Sequence, residues 1–153
     1  MNRIAQILPS SHVVLDLEAS SKARLFEVAG QLFEGTLGVT PASVAASLAA
    51  REKLGSTGLG QGIAIPHGRI KGLRRAAGAY ARLATPIEFE APDGKPVGQV
   101  FVLLVPEQAT EEHLQLLSEL AQMFSERRFR EQLAAAAGAS DIVQLFATWN
   151  PNP

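Results

Sequence analysis

The chain has 153 residues, 46% of them hydrophobic, enough for one domain with a substantial core and short for two. Lys and Arg number 14 against 15 Asp and Glu, and a formal net charge of −1 offers no general attraction to nucleic acid or anionic lipid. The lack of cysteine excludes disulfides, thiolate catalysis and cysteine-ligated metal sites. No apolar run approaches the roughly 20 residues of a membrane span or resembles a signal-peptide core, so a cytoplasmic domain without stable membrane insertion is the expectation.

From the N-terminus, Arg3 to Leu8 predict one amphipathic helical turn, stopped by Pro9. His12 to Leu17 alternates enough for a short strand, with His12 read as a surface residue. Ser20 or Ser21 caps a helix whose apolar positions Leu25, Val28, Ala29, Leu32 and Phe33 share one face, ended by Gly35 and Gly38. Thr40 as cap and Pro41 at the first helical position open the next helix, with Val44, Ala45, Leu48 and Ala49 inward. It closes at Arg51-Glu52-Lys53, where a cation suits the helix dipole.

The stretch from Arg51 to Arg69 reads REKLGSTGLGQGIAIPHGR. Gly55, Gly58, Gly60 and Gly62 form a loop, Ile63 to Ile65 a short strand, and Pro66 pushes Ile65 towards extended geometry so that His67 leaves the strand end at a set angle. Gly68 leaves the far side of the imidazole uncrowded. Such a setting presents a histidine to a large reactant. The glycine spacing does not meet the dinucleotide fingerprint, because a helix precedes it and a strand follows, and no Gly-Lys-Ser/Thr follows for a phosphate loop. Arg69, Lys71, Arg74 and Arg75 then form a cation group able to attract an acidic surface or a phosphoryl group.

Ala76 to Leu83 predicts a strand, Pro86 to Glu90 a second short one, and Asp93-Gly94 a turn leading into a hairpin with Val97 onwards. Val100 to Val105 is apolar throughout, as in a central strand buried on both faces, and Pro106 ends it. Thr110 caps a helix from Glu111 to Phe124 with Leu114, Leu117, Leu120, Ala121 and Phe124 inward; Glu111 and Glu112 face solvent, and His113 stands at the third helical position beside amides without intrahelical partners. Ser125 begins a helix with Phe129, Leu133 and Ala136 inward, ending at Gly138. Ser140-Asp141 begins the last, through Ile142, Val143, Leu145 and Phe146, closed by Trp149. The fold class is α/β: a single-domain sandwich over residues 1–149 with a central mixed β-sheet flanked by helices, and a tail at 150–153.

Glu52, then Leu59-Gly60, then Ile63-Ala64-Ile65-Pro66-His67-Gly68 resembles the phosphohistidine signature of the fructose/mannitol-type enzyme IIA domains of the bacterial phosphotransferase system. Within that group Gly55-Ser56-Thr57-Gly58 followed by Gly62 to Gly68 is most similar to the nitrogen-regulatory proteins, and the likeness runs over nearly the whole chain. The resemblance implies His67 as phosphoryl acceptor. His113, heading the pattern His113-Leu114…Leu117…Leu120-Ala121, and Arg51, sixteen residues before His67, would be its anion-stabilising neighbours. Ser56, Thr57, Gly62, Gly68 and Arg69 are candidates for phosphate or partner contact. It implies no cofactor and no metal. The partners would be a histidine phosphocarrier protein as donor, and a downstream regulatory target or an enzyme IIB as recipient. Regulation is the expected output, with sugar uptake as the alternative. A metal site on His12, His67 and His113 and a non-catalytic interaction module are the readings of other classes.

Overall fold

The computed structural model of the chain describes residues 2–108 and 110–150, Thr110 by its backbone alone. Its elements are α1 (Arg3–Ile7), a 3-10 turn (Ser10–His12), β1 (Val13–Leu17), α2 (Lys22–Leu37), α3 (Pro41–Lys53), β2 (Gly58–Gly60), β3 (Ile63–Ala64), β4 (His67–Ile70), β5 (Ala77–Ile87), β6 (Val97–Pro106), α4 (Thr110–Ser125), α5 (Arg127–Ala135) and α6 (Ala139–Thr148). The Thr110 cap and the tail at Pro151–Pro153 lie outside the described residues.

One mixed sheet runs in the order β1-β5-β6-β3-β2, and β4 also pairs with β6. β5 and β6 are antiparallel, whereas β1 runs parallel to β5, and β3 and β4 run parallel to β6. The apolar run Val100–Val105 is buried throughout because each face of β6 meets helices. Val100, Val102 and Leu104 join Leu25, Phe26, Phe33, Val44 and Leu48 of α2 and α3. Phe101, Leu103 and Val105 join Ile4 of α1, Leu116, Leu120 and Phe124 of α4, Phe129 of α5 and Phe146 of α6. Each large side chain so buried contributes about 1.5–3 kcal/mol, and the alternation along β6 assigns consecutive residues to different cores.

Helix starts follow the sequence closely. The Ser21 hydroxyl accepts from Arg24 N–H and the Thr40 hydroxyl from Ser43 N–H, with Pro41 opening α3. Elsewhere the structure departs from expectation. The strands expected at Ala76–Leu83 and at Pro86 are one, since β5 takes up a register shift after Arg82 and regains pairing at Ile87 opposite Val97. The glycine loop contains a hairpin: Gly60 pairs with Ile63 across Gln61 (φ 59°) and Gly62 (φ 79°), the two positive-φ residues of a tight primed turn. Ser125 ends α4 instead of starting α5.

Two further corrections concern burial. His12 is only 2% exposed, not a surface residue, because the turn after Pro9 tucks its ring between β5 and α2. Nδ1 donates to the Gly78 carbonyl at 2.9 Å, Nε2 pairs with the Thr36 hydroxyl, and Phe33 meets the ring edge-on. In α4 the buried face is Leu116, Leu120, Met123 and Phe124; Leu114 is 63% exposed and Ala121 is exposed as well. Apolar residues occupy both faces of this helix, and packing against β6, α5 and α6 selects one.

Candidate active site

Pro66 interrupts what is otherwise one long strand. Ile63 and Ala64 pair with Gln99 and Val100, and His67 to Ile70 continue in the same register against Leu103 to Pro106. Lacking an N–H, Pro66 offers only its carbonyl, which accepts from Leu103 N–H at 2.9 Å. His67 is therefore the first residue of a second strand segment, not the loose end of a first one, and its backbone is fixed on both sides.

The ring is fixed too. His67 Nδ1 lies 2.8 Å from the Ile65 carbonyl. A carbonyl only accepts, so Nδ1 carries the proton and Nε2 keeps its lone pair. The half-buried ring stands edge-on to His113, with centroids 5.1 Å apart and planes at 67°. Nε2 of His113 is buried without a hydrogen-bond partner among the described residues. A buried polar nitrogen without a partner costs free energy unless something fills the role. Burial holds the His67 imidazole below the usual histidine value; the Ile65 carbonyl opposes this, the Arg51 charge adds to it, and Glu52 opposes it. His113 is lowered as well, by burial and then by the charges of His67, Arg69 and Arg51. At neutral pH the site is two uncharged imidazoles in a positive field.

The positive field has two sources. Arg51 belongs to the last turn of α3, and its guanidinium donates to the Gly55 carbonyl at 2.8 Å, holding it over the start of the glycine loop. Arg69 is two residues along β4 from His67, hence on the same face of the sheet, and it donates to the Glu107 carbonyl at 3.3 Å. Glu111 and Glu112, in the first turn of α4, are both exposed.

The other sequence candidates are used differently. Gly68 admits α3: a Cβ there would stand 2.3 Å from Ser47 Oγ, so the missing side chain serves helix–strand packing and not an open imidazole face. The Ser56 hydroxyl donates to the Phe89 carbonyl at 2.6 Å, and that of Thr57, which is 6% exposed, to Glu52 at 2.6 Å; neither is left to donate to a phosphate. The Gly62 carbonyl accepts from Gly98 and Gln99, four residues along β6 from the Leu103 that faces His67, or about 13 Å away. Of the cation group, Arg69 joins the imidazoles. Arg74 and Arg75 line a separate cleft of about 1490 Å³ with Arg3, His12 and Glu111. His67 and His113, both half-buried, do not line that cleft; Leu54 and Leu114, which follow Arg51 and His113 in the chain, are exposed. His12, held by Gly78 and Thr36, does not converge with the other two histidines.

Sequence reasoning passed over two groups. Asp93, read as a turn signal, also accepts from Gln61 N–H at 2.9 Å and so pins the β2–β3 hairpin; bonds from Gln61 and Lys95 amides keep its carboxyl below the ordinary range. Lys22 reaches Glu52 at 2.8 Å from the start of α2. The first carried a visible signal, an Asp-Gly pair. The second carried none, since a lysine at a helix start has no marked pattern.

The family model for the phosphoenolpyruvate-dependent sugar phosphotransferase system, EIIA 2, matches residues 6–149. The nitrogen regulatory protein of Pseudomonas aeruginosa is 42% identical over 146 residues, 95% of each chain. A PTS system fructose-specific EIIA component of Haloferax volcanii is 37% identical over 101 residues, 66% of each. Among solved structures, nitrogen regulatory protein IIA-Ntr from Neisseria meningitidis superposes with a TM-score of 0.89 at 53% identity, covering 94% of this chain and 99% of that one.

Proposed function

The chain belongs to the EIIA 2 family of the phosphoenolpyruvate-dependent sugar phosphotransferase system, and from that premise we propose that it carries a phosphoryl group on His67 Nε2, received from a histidine phosphocarrier protein, and that its output is regulatory. The observation that carries this reading is the Ile65 carbonyl on Nδ1, which leaves the Nε2 lone pair as the ring's one nucleophile, edge-on to the His113 ring, whose Nε2 has no hydrogen-bond partner among the described residues.

In the transfer, the P–N bond of the donor's phosphohistidine breaks as the Nε2–P bond forms, and the donor imidazole keeps the electron pair of the broken bond. His67 retains its Nδ1 proton, and the Ile65 carbonyl stabilises the positive character that the ring acquires. A loose phosphoryl transition state needs alignment and charge more than covalent help. Arg51 supplies a fixed guanidinium, Arg69 a second positive charge, and His113 an imidazole whose Nε2 can meet a phosphoryl oxygen. Leu54 and Leu114, exposed and within three residues of Arg51 and His113 in the chain, suit a protein donor, which has to bring its own imidazole to within bonding distance.

The regulatory output is favoured by the nitrogen regulatory relatives, which match 95% of the chain at 42% identity and, in structure, 94% at 53%. Transfer to an enzyme IIB in sugar uptake is the second reading, favoured by the fructose-specific component at 37% identity. Incubation with phosphoenolpyruvate, the first enzyme of the system and a phosphocarrier should add one acid-labile, base-stable phosphoryl group to the wild type and none to His67→Ala. Labelling of both, or of neither, overturns the assignment. Loss of label on adding an enzyme IIB from the same organism would favour the sugar reading. Retention, with a protein captured in only one phosphorylation state, would favour the regulatory one.

A further inference from the structure

Lys22 and Glu52 stand at unfavourable ends of their helices. Lys22 is the first residue of α2, where the dipole favours an anion, and Glu52 is next to last in α3, where it favours a cation. They face each other instead. Lys22 Nζ lies 2.8 Å from Glu52, 3.3 Å from Glu90 and 4.9 Å from the centroid of the Phe89 ring. With side-chain exposures of 19% and 7%, Lys22 and Glu52 form a largely desolvated pair, in which removal of one partner leaves an uncompensated charge.

The pair continues into the site. The Glu52 carboxylate accepts from Thr57 Oγ1 at 2.6 Å and from Thr57 N at 3.2 Å. The Thr57 carbonyl accepts from Ile65 N at 3.0 Å, and the Ile65 carbonyl holds His67 Nδ1 at 2.8 Å. Arg51 precedes Glu52, and its guanidinium is bonded to Gly55 between the two ends of this tie. A bonded path therefore runs from Lys22 through Glu52, Thr57 and Ile65 to the reacting ring.

Resting on the reading of His67 as phosphoryl acceptor, we propose that Lys22, Glu52 and Thr57 are positioning residues: they set the Arg51 guanidinium and the Ile65 carbonyl against His67, and Lys22 keeps the Glu52 charge from acting on the imidazole unopposed. The charged and titratable groups around His67 are Arg51 and Glu52 from α3 and His113 from α4, with Arg69 of its own strand acting on His113. Of these Glu52 alone is an anion. It would favour a protonated, non-nucleophilic His67 and repel an incoming phosphoryl group if Lys22 did not offset it.

The test is the titration of the His67 ring in the unphosphorylated protein by NMR, together with steady-state transfer from the phosphorylated phosphocarrier. Lys22→Met is expected to raise the pH of the His67 midpoint, Glu52→Gln to lower it, and the double variant to bring it back towards wild type. In transfer, Lys22→Met should lose about tenfold in kcat with KM little changed, the pattern of an interaction lost in the transition state, and Lys22→Arg should recover most of it. A His67 midpoint unmoved in Lys22→Met and in Glu52→Gln, with amide spectra showing both folded, overturns the proposal, as does a loss borne by KM alone. Failure of the wild type to accept any phosphoryl group overturns the underlying carrier reading, a result separate from the titration.

Discussion

His67, the proposed nucleophile, is also a titrating group, and its environment fixes the sign of its pH dependence. Burial outweighs the Ile65 and Glu52 effects and, with Arg51, holds its pKa below 6.5 in the folded chain. The unfolded chain therefore binds its proton first on acidification. The stability contributed by the neutral buried ring is present at neutral pH, is lost as pH falls below 6.5, and levels off below the folded value. We expect the rate of phosphoryl acceptance to be flat above about pH 6.5 and to fall towards tenfold per unit below the folded pKa, measured as initial rates across pH. In urea unfolding, His67→Gln should lose less stability between neutral pH and pH 5.5 than the wild type. Arg51→Ala and His113→Ala keep the acceptor and remove charge or a phosphoryl contact, so each should slow transfer by about 10²-fold, within the range for one electrostatic donor. Wild-type rates in both would disprove the assigned surroundings.

At the scale of elements, β4 delivers His67 and α3 delivers Arg51, so their spacing depends on how closely α3 approaches β4. Gly68 permits that approach, with Ser47 Oγ in the space that a Cβ would take and donating to the Arg69 carbonyl at 3.0 Å. Gly68→Ala should cost roughly 1–3 kcal/mol in denaturant unfolding, the usual range for forcing a methyl into a packed contact. Because relief of the clash moves helix and strand apart, transfer should slow even where the variant is folded. Adding Ser47→Ala removes the atom at 2.3 Å and should recover part of the stability, since Ser47 Cβ lies at 3.2 Å. No coupling between the two substitutions would mean that α3 and β4 adjust independently.

At the scale of the whole molecule, one sheet separates two cores, and the site draws on both. Arg51 comes from the layer of α2 and α3, and His113 from the layer of α1, α4, α5 and α6. Phe146 of α6 is fully buried and meets Tyr80, Phe101, Phe124 and Phe129, so it joins β5, β6, α4 and α5 in one contact group. Phe146→Ala should cost about 3–5 kcal/mol and lower Tm by roughly 10 °C in a scanning calorimeter. As Phe146 lies in the core and the site is on the surface, transfer by the folded variant at low temperature should stay near wild type. A larger loss of rate than of stability would mean that α4 shifts when its support is removed.

Sequence by itself determined what rests on local chemistry: a serine cap at Ser20 or Ser21, the cap at Thr40, Pro41 at a helix start, the doubly buried β6, and the run ending in Pro66-His67-Gly68, where the residue types required by the backbone stand next to one another. The inward face of α4, the fate of His12 and the continuity of β5 past Pro86 were decided only by tertiary structure. In each the local pattern is compatible with two arrangements, and packing partners distant in sequence select between them. The same holds within the site. Ser56, Thr57 and Gly62, near His67 in the chain, are candidates for phosphate or partner contact from sequence, yet sheet register carries Gly62 along β6 and hydrogen bonds commit the two hydroxyls to Phe89 and Glu52. The edge-on pairing of His67 with His113, two residues 46 positions apart in the chain, exists because parallel pairing of β4 with β6 brings both to one end of the sheet.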